Sequence, residues 1–149
     1  MKTHILALLS SLAITAAAFA HGEVELGPNG GRLLEFSKDE SMNGEVTVKD
    51  GKFIIALLDK AQKPVALADQ TITASGGPNG KVVKLEVTKA DGKFVIPAVK
   101  PGEWLILQFK ADAKAKAVTA RLEYNTANCD KCSSPEWICK CAANKAGKK

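Results

Sequence analysis

Four cysteines, Cys129, Cys132, Cys139 and Cys141, fall within 13 residues near the carboxyl end, in the stretch "CDKCSSPEWICKC". Their spacing is C-x2-C, then six residues, then C-x-C. Thiolates are good ligands for Zn(II) and Cu(I), and four of them so close together can wrap one tetrahedral ion. The second pair departs from a zinc ribbon, which joins two C-x2-C knuckles at wider separation. The same four residues can instead close two disulfides, with three possible pairings. The nested pairing Cys129–Cys141 and Cys132–Cys139 avoids bridging the C-x-C pair, whose very small ring would be strained. A redox-active Cys129–Cys132 pair, with Lys131 lowering a thiol pKa, is a third use. It normally needs a helix N-terminus in an α/β fold, and the surrounding sequence offers none.

The amino end decides how these thiols are read first. Residues 1–20, "MKTHILALLSSLAITAAAFA", have the layout of a secretory signal: Lys2 as the basic start, Ile5 to Ala17 as the apolar core, and Ala18-Phe19-Ala20 as a small-x-small cleavage site. Export places the cysteines in an oxidising compartment, periplasmic or extracellular, where disulfides are the default. Structural disulfides are therefore the leading expectation, and a four-cysteine Zn or Cu site is the alternative. Cleavage after Ala20 leaves His21 at the new terminus, where its α-amino group and imidazole together can chelate Cu(II). Oxidative copper chemistry needs a further histidine, and the mature chain has none, because His4 leaves with the signal.

Three segments follow from this: a signal at 1–20, a domain at 21–127 and a Cys-rich basic tail at 128–149. The mature 129 residues (149 minus 20) suffice for one domain with its own core. No later stretch is long and apolar enough for a transmembrane segment. Of the positive charge, residues 21–127 carry 15 basic against 14 acidic groups, and the tail carries five lysines against Asp130 and Glu136. The excess thus sits in the tail, and with few aromatics and an exported chain the composition argues against nucleic-acid binding. No Ser–His–acid or Cys–His set can be assembled from a mature chain whose one histidine is at its terminus. The expectation is a protein without enzymatic activity.

The elements that position these residues read as strands. Arg32 to Phe36 is a first strand, and "EVTVKDGKFIIALL", Glu45 to Leu58, is a hairpin turning on Asp50-Gly51, a dipeptide suited to a type I′ turn. Alternation points Val46 and Val48 to a core and Glu45, Thr47 and Lys49 to water. Phe53 to Leu58 is continuously apolar, as in a strand covered on both faces. Short strands at Val65 to Leu67 and Thr71 to Ala74 precede a turn over Ser75 to Gly80. Lys81 to Val99 is a second hairpin, turning on Asp91-Gly92. Glu103 to Ala111 and Ala117 to Asn125 complete the set. Pro97 indicates an edge or bulge, Trp104 is the natural large core residue, and no amphipathic helix is visible. The pattern predicts an all-β, antiparallel, immunoglobulin-like β-sandwich with a short Cys-rich C-terminal tail.

The segments "HGEVELGPNGGRLLEF" and "GEVTVKDGKFIIALLDKAQKPV", His21 to Phe36 and Gly44 to Val65, add one further clue. They resemble the small periplasmic modules related to the N-terminal region of heavy-metal efflux adaptor (membrane-fusion) subunits. The shared features are the "GP-x-GG-x-L" segment and strands ending in an "LLD…KPV" turn. This chain has Asn29 and Gly44 where that pattern commonly has histidines. The resemblance implies an exported β-sandwich accessory module linked to heavy-metal efflux or metal stress, with a protein partner in the cell envelope. Taken with the disulfide-closed tail, that is the function expected from the sequence.

Overall fold

The computed structural model describes residues 24–141; the expected signal at 1–20, His21 and the last residues of the tail lie outside them. Nine strands form within these bounds: β1 (Arg32–Glu35), β2 (Asn43–Lys49), β3 (Lys52–Leu58), β4 (Thr71–Gly77), β5 (Val83–Leu85), β6 (Thr88–Ala90), β7 (Lys93–Pro97), β8 (Trp104–Lys110) and β9 (Val118–Glu123). They make two sheets, ordered β1-β2-β3-β7-β6 and β5-β4-β8-β9, with every pairing antiparallel. The chain is an all-β sandwich, as its alternation requires. A one-turn 3-10 helix spans Glu136–Ile138, and no helix among the described residues is long and apolar enough to cross a membrane.

Both Asp-Gly turns form where expected. Asp50 and Gly51 have φ of 50° and 69°, and Asp91 and Gly92 repeat those values. Two consecutive positive φ angles define the type I′ turn, whose twist matches that of the strands it joins. The first turn registers Lys49 opposite Lys52, the second Ala90 opposite Lys93.

The core lies between the sheets. Val46, Phe53, Ile55, Leu57, Phe94 and Ile96 of one face meet Ile72, Leu105, Leu107, Phe109 and Leu122 of the other. Phe36, just past β1, stacks on Phe109 of the opposite sheet with centroids 4.7 Å apart. Burying an aromatic side chain of this kind removes a large apolar area from water, worth about 25 cal/mol per Å2.

Several details depart from the sequence reading. Residues 65–67 form no strand; Val65 donates to the Leu57 carbonyl at 2.8 Å in a loop that follows β3. β4 runs through Gly77, into the expected turn. The expected Lys81 to Val99 hairpin is divided, for β5 pairs with β4 in one sheet and β6 with β7 in the other. In β3 the fully buried side chains are Phe53, Ile55, Leu57 and Leu58, while Ile54 and Ala56 face outward and are only half-buried. Pro97 lies in β7 beyond the reach of β6, whose pairs end at Val95, so the missing N–H faces no strand. Trp104 is only half-buried, and the core tryptophan is Trp137 of the tail.

Glu45 also departs, being 1 % exposed rather than solvated. The turn at 27–31 folds over it. Its carboxylate accepts from the Asn29 N–H at 2.7 Å, the Asn29 side-chain amide at 2.7 Å and the Gly31 N–H at 3.0 Å. Gly27 and Gly31 permit this approach, since a Cβ at either would press on the Glu45 side chain.

Candidate metal centre

After β9 the chain does not leave the sandwich but docks a small two-armed structure on it. Residues 125–129 and 134–137 run antiparallel: the Trp137 N–H donates to the Asn125 carbonyl at 2.9 Å, Glu136 to Ala127 at 2.8 Å, and Cys129 to Ser134 at 2.8 Å. The return is made at Cys129–Ser133, where the Ser133 N–H donates to the Cys129 carbonyl at 2.8 Å and Ser133 takes a φ of 57°. Such a turn brings both sulfurs of a C-x2-C pair to one side of the backbone. The 3-10 turn then delivers Cys139, whose N–H donates to the Glu136 carbonyl at 3.2 Å.

Trp137 and Ile138 both pack against the main core. Trp137 meets Tyr124 edge-on at 5.5 Å, and Tyr124 meets Phe53 of β3 at 5.1 Å. Two polar contacts lock this anchor. Arg32 of β1 donates to the Trp137 carbonyl at 3.0 Å, and the Asn125 amide donates to the Glu136 carboxylate at 2.9 Å. Burial of the Arg32 guanidinium lowers its pKa from the ordinary value. The tail thus rests on both sheets. Nothing in the spacing of Arg32, Tyr124 and Asn125 marks them as its supports; their roles come from the meeting of β1 and β9.

All four cysteines named from the sequence come together. Every Sγ lies within 4.8 Å of every other. Cys132 and Cys139 are 3.3 Å apart, and the Cys141 N–H donates to the Cys139 sulfur at 3.3 Å. Four sulfurs around one Zn(II), with bonds of about 2.3 Å, stand about 3.8 Å apart. The cluster is therefore close to the size a tetrahedral thiolate site requires. Neither expected disulfide, Cys129–Cys141 or Cys132–Cys139, is formed; the four residues are free cysteines. The turn and the C-x-C segment send all four sulfurs toward one centre rather than separating them into two pairs. His21, the auxiliary ligand expected for Cu(II), lies outside the described residues.

The thiols differ in their surroundings. Cys129 and Cys139 are 2 % and 1 % exposed, Cys141 is partly buried and Cys132 is open to solvent. The Ser134 backbone N–H, aided by the Cys139 thiol and the Ser134 hydroxyl, draws the Cys132 pKa down to about 6. Burial pushes Cys139 up to about 12, and its hydrogen bond with Cys132 raises Cys141. At neutral pH Cys132 is thus a ready thiolate, while Cys139 and Cys141 must shed protons to bind a cation. Asp130, Lys131, Glu136 and Lys140 cancel in formal charge. Four thiolates then leave a net of two negative charges around Zn(II) and three around Cu(I), with the Arg32 cation nearby.

The positions suggested by the efflux-adaptor resemblance do not form a second ligand set. Asn29 meets Glu45, but as a hydrogen-bond donor to its carboxylate. A side chain at Gly44 would run into the Phe36 ring, so histidine has no room there. Compared with protein-family models, curated proteins and solved structures, the chain has no match.

Proposed function

We propose that this is an exported, non-enzymatic metal-binding module, a β-sandwich whose tail holds one soft cation, Zn(II) or Cu(I), on Cys129, Cys132, Cys139 and Cys141. One observation carries the reading: four sulfurs, drawn from a turn and a C-x-C segment, all lie within 4.8 Å of one another. Soft thiolates select these ions, and convergence of all four serves a metal better than it serves two separate S–S bonds. Metal binding accordingly moves ahead of the disulfide-closed tail. Export rests on the signal-like residues 1–20, and a place in heavy-metal efflux or metal stress, with a cell-envelope protein as partner, rests on the resemblance at His21–Val65.

The disulfide reading keeps one observation in its favour, the 3.3 Å separation of Cys132 and Cys139. Protein isolated from the export compartment without reductant separates the two. Intact mass, thiol titration and elemental analysis of one sample are expected to give four free thiols after chelation and about one equivalent of bound metal. A mass lower by four hydrogens, with no metal, would reject the proposal in favour of two disulfides.

A further inference from the structure

The four sulfurs are unequal in a way that a purely structural site does not need. Four cysteines fill every position of a tetrahedral site, so an incoming ligand can bond to the metal only as one of them leaves, and the sulfur that solvent reaches is the one open to displacement. Here Cys129 is pinned on both sides of its peptide, through its N–H to Ser134 and its carbonyl to Ser133. The Cys139 sulfur is buried and accepts the Cys141 N–H. Cys132 alone of the four is exposed. It stands at the tip of the turn that closes between Cys129 and Ser133.

We propose that the cluster is a transfer site, and that Cys132 is the ligand through which the metal enters and leaves, passing to an acceptor that presents paired thiolates. This rests on the reading of the cluster as a metal site. In the first step an acceptor thiolate bonds to the metal from the solvent side while the Cys132–metal bond breaks. The metal keeps its oxidation state and coordination number, and no electrons change hands. Cys132 leaves with its bonding pair as a thiolate and is then free to take a proton from water. A second acceptor thiolate then displaces Cys141, the next most accessible ligand. The buried Cys129 and Cys139 release the metal last.

The test uses the full mature chain loaded with one equivalent of Zn(II) and a synthetic peptide bearing a C-x2-C pair as acceptor. Native mass spectrometry follows transfer, and limiting iodoacetamide in a parallel sample maps the order of thiol modification. Doubling the acceptor is expected to double the transfer rate, and the first modified residue is expected to be Cys132. A rate independent of acceptor concentration would overturn the proposal, because the metal would then leave before the acceptor arrives. Modification beginning at Cys129, Cys139 or Cys141, or striking all four together, would also overturn it. A protein that takes up no Zn(II) or Cu(I) at the outset fails at loading, which removes the metal-site reading itself. Cys132→Ser supplies a second check: it keeps three thiolates and opens the fourth position, so the loaded variant should transfer faster than the parent. Slower transfer would place the exchanging ligand elsewhere.

Discussion

Glu45 and the cysteine cluster both bury atoms that water would otherwise solvate: Glu45 is 1 % exposed, and Cys129 and Cys139 are 2 % and 1 % exposed. They are completed in opposite ways. The Glu45 carboxylate meets three N–H donors supplied by the turn at 27–31, so its charge is compensated within the chain. The sulfurs meet one another, the Cys141 N–H and, at Cys132, the Ser134 donors. A carboxylate ringed by donors needs no further partner, while four thiolates turned toward a common centre repel until a cation joins them. Two polar centres of one small sandwich thus divide into a self-sufficient brace and a cluster that a metal ion could complete.

The largest expected effect tests the dependent half of that contrast. Cys139→Ser should reduce bound metal from about one equivalent to near none by elemental analysis. Tail docking should fail with it, since structural Zn(II) contributes about 10–16 kcal/mol in small peptides that fold around it. Limited proteolysis across residues 128–141 reports the docking. Tight metal binding by this variant would mean that the buried sulfurs are not the ones that retain the ion.

Trp137→Ala comes next, with an expected loss of about 3–5 kcal/mol in denaturant unfolding of the metal-loaded protein. It removes the anchor between the tail and Tyr124 and should weaken metal affinity as well. An unchanged affinity would show that the centre folds independently of the sandwich. Glu45→Gln is smaller: losing charge-assisted acceptance from three donors should cost about 1.5–3 kcal/mol and leave metal stoichiometry unchanged. A drop in bound metal here would break the separation of the two centres.

Asp39 carries the contrast to the surface. Its carboxylate accepts from the Ser41 hydroxyl at 2.8 Å and the Ser41 N–H at 3.3 Å. Chiefly through the Ser41 side chain, its pKa falls from 3.8 to about 2. A depressed folded-state pKa contributes stability above the unfolded value, and that contribution is lost as pH falls from 3.8 through about 2. NMR titration should place the Asp39 midpoint near 2, and Ser41→Ala should return it toward 3.8. For an exposed group the change in overall stability should be slight.

These differences explain what could be read from the chain beforehand. The hairpins at Asp50-Gly51 and Asp91-Gly92 were legible because positive φ at both turn residues is a local demand that local residues meet. The fate of Glu45 was not, for alternation assigns it a face but cannot say that residues 27–31 will cover that face. Likewise Leu85-Glu86-Val87 continues an alternating run, although the chain changes sheets between Leu85 and Thr88. That change depends on which distant strand each half pairs with. Trp104 and Trp137 are alike in size, and only the docking of the tail puts Trp137 in the core. The cysteine spacing permitted one metal or two disulfides. Convergence of the sulfurs needed the turn at Ser133 and the anchor at Trp137, neither of which spacing can express.

The contact between Arg32 and Trp137 spans 105 positions of the chain. Contacts so remote in sequence form late, after the nearer hairpins have shortened the path between their ends. The tail therefore finds its seat only once β1 and β9 have come side by side. A chain whose first and last strands have not met lacks the Arg32 contact that holds Trp137 in its seat. A metal-filled centre would then report that the first and last strands have met.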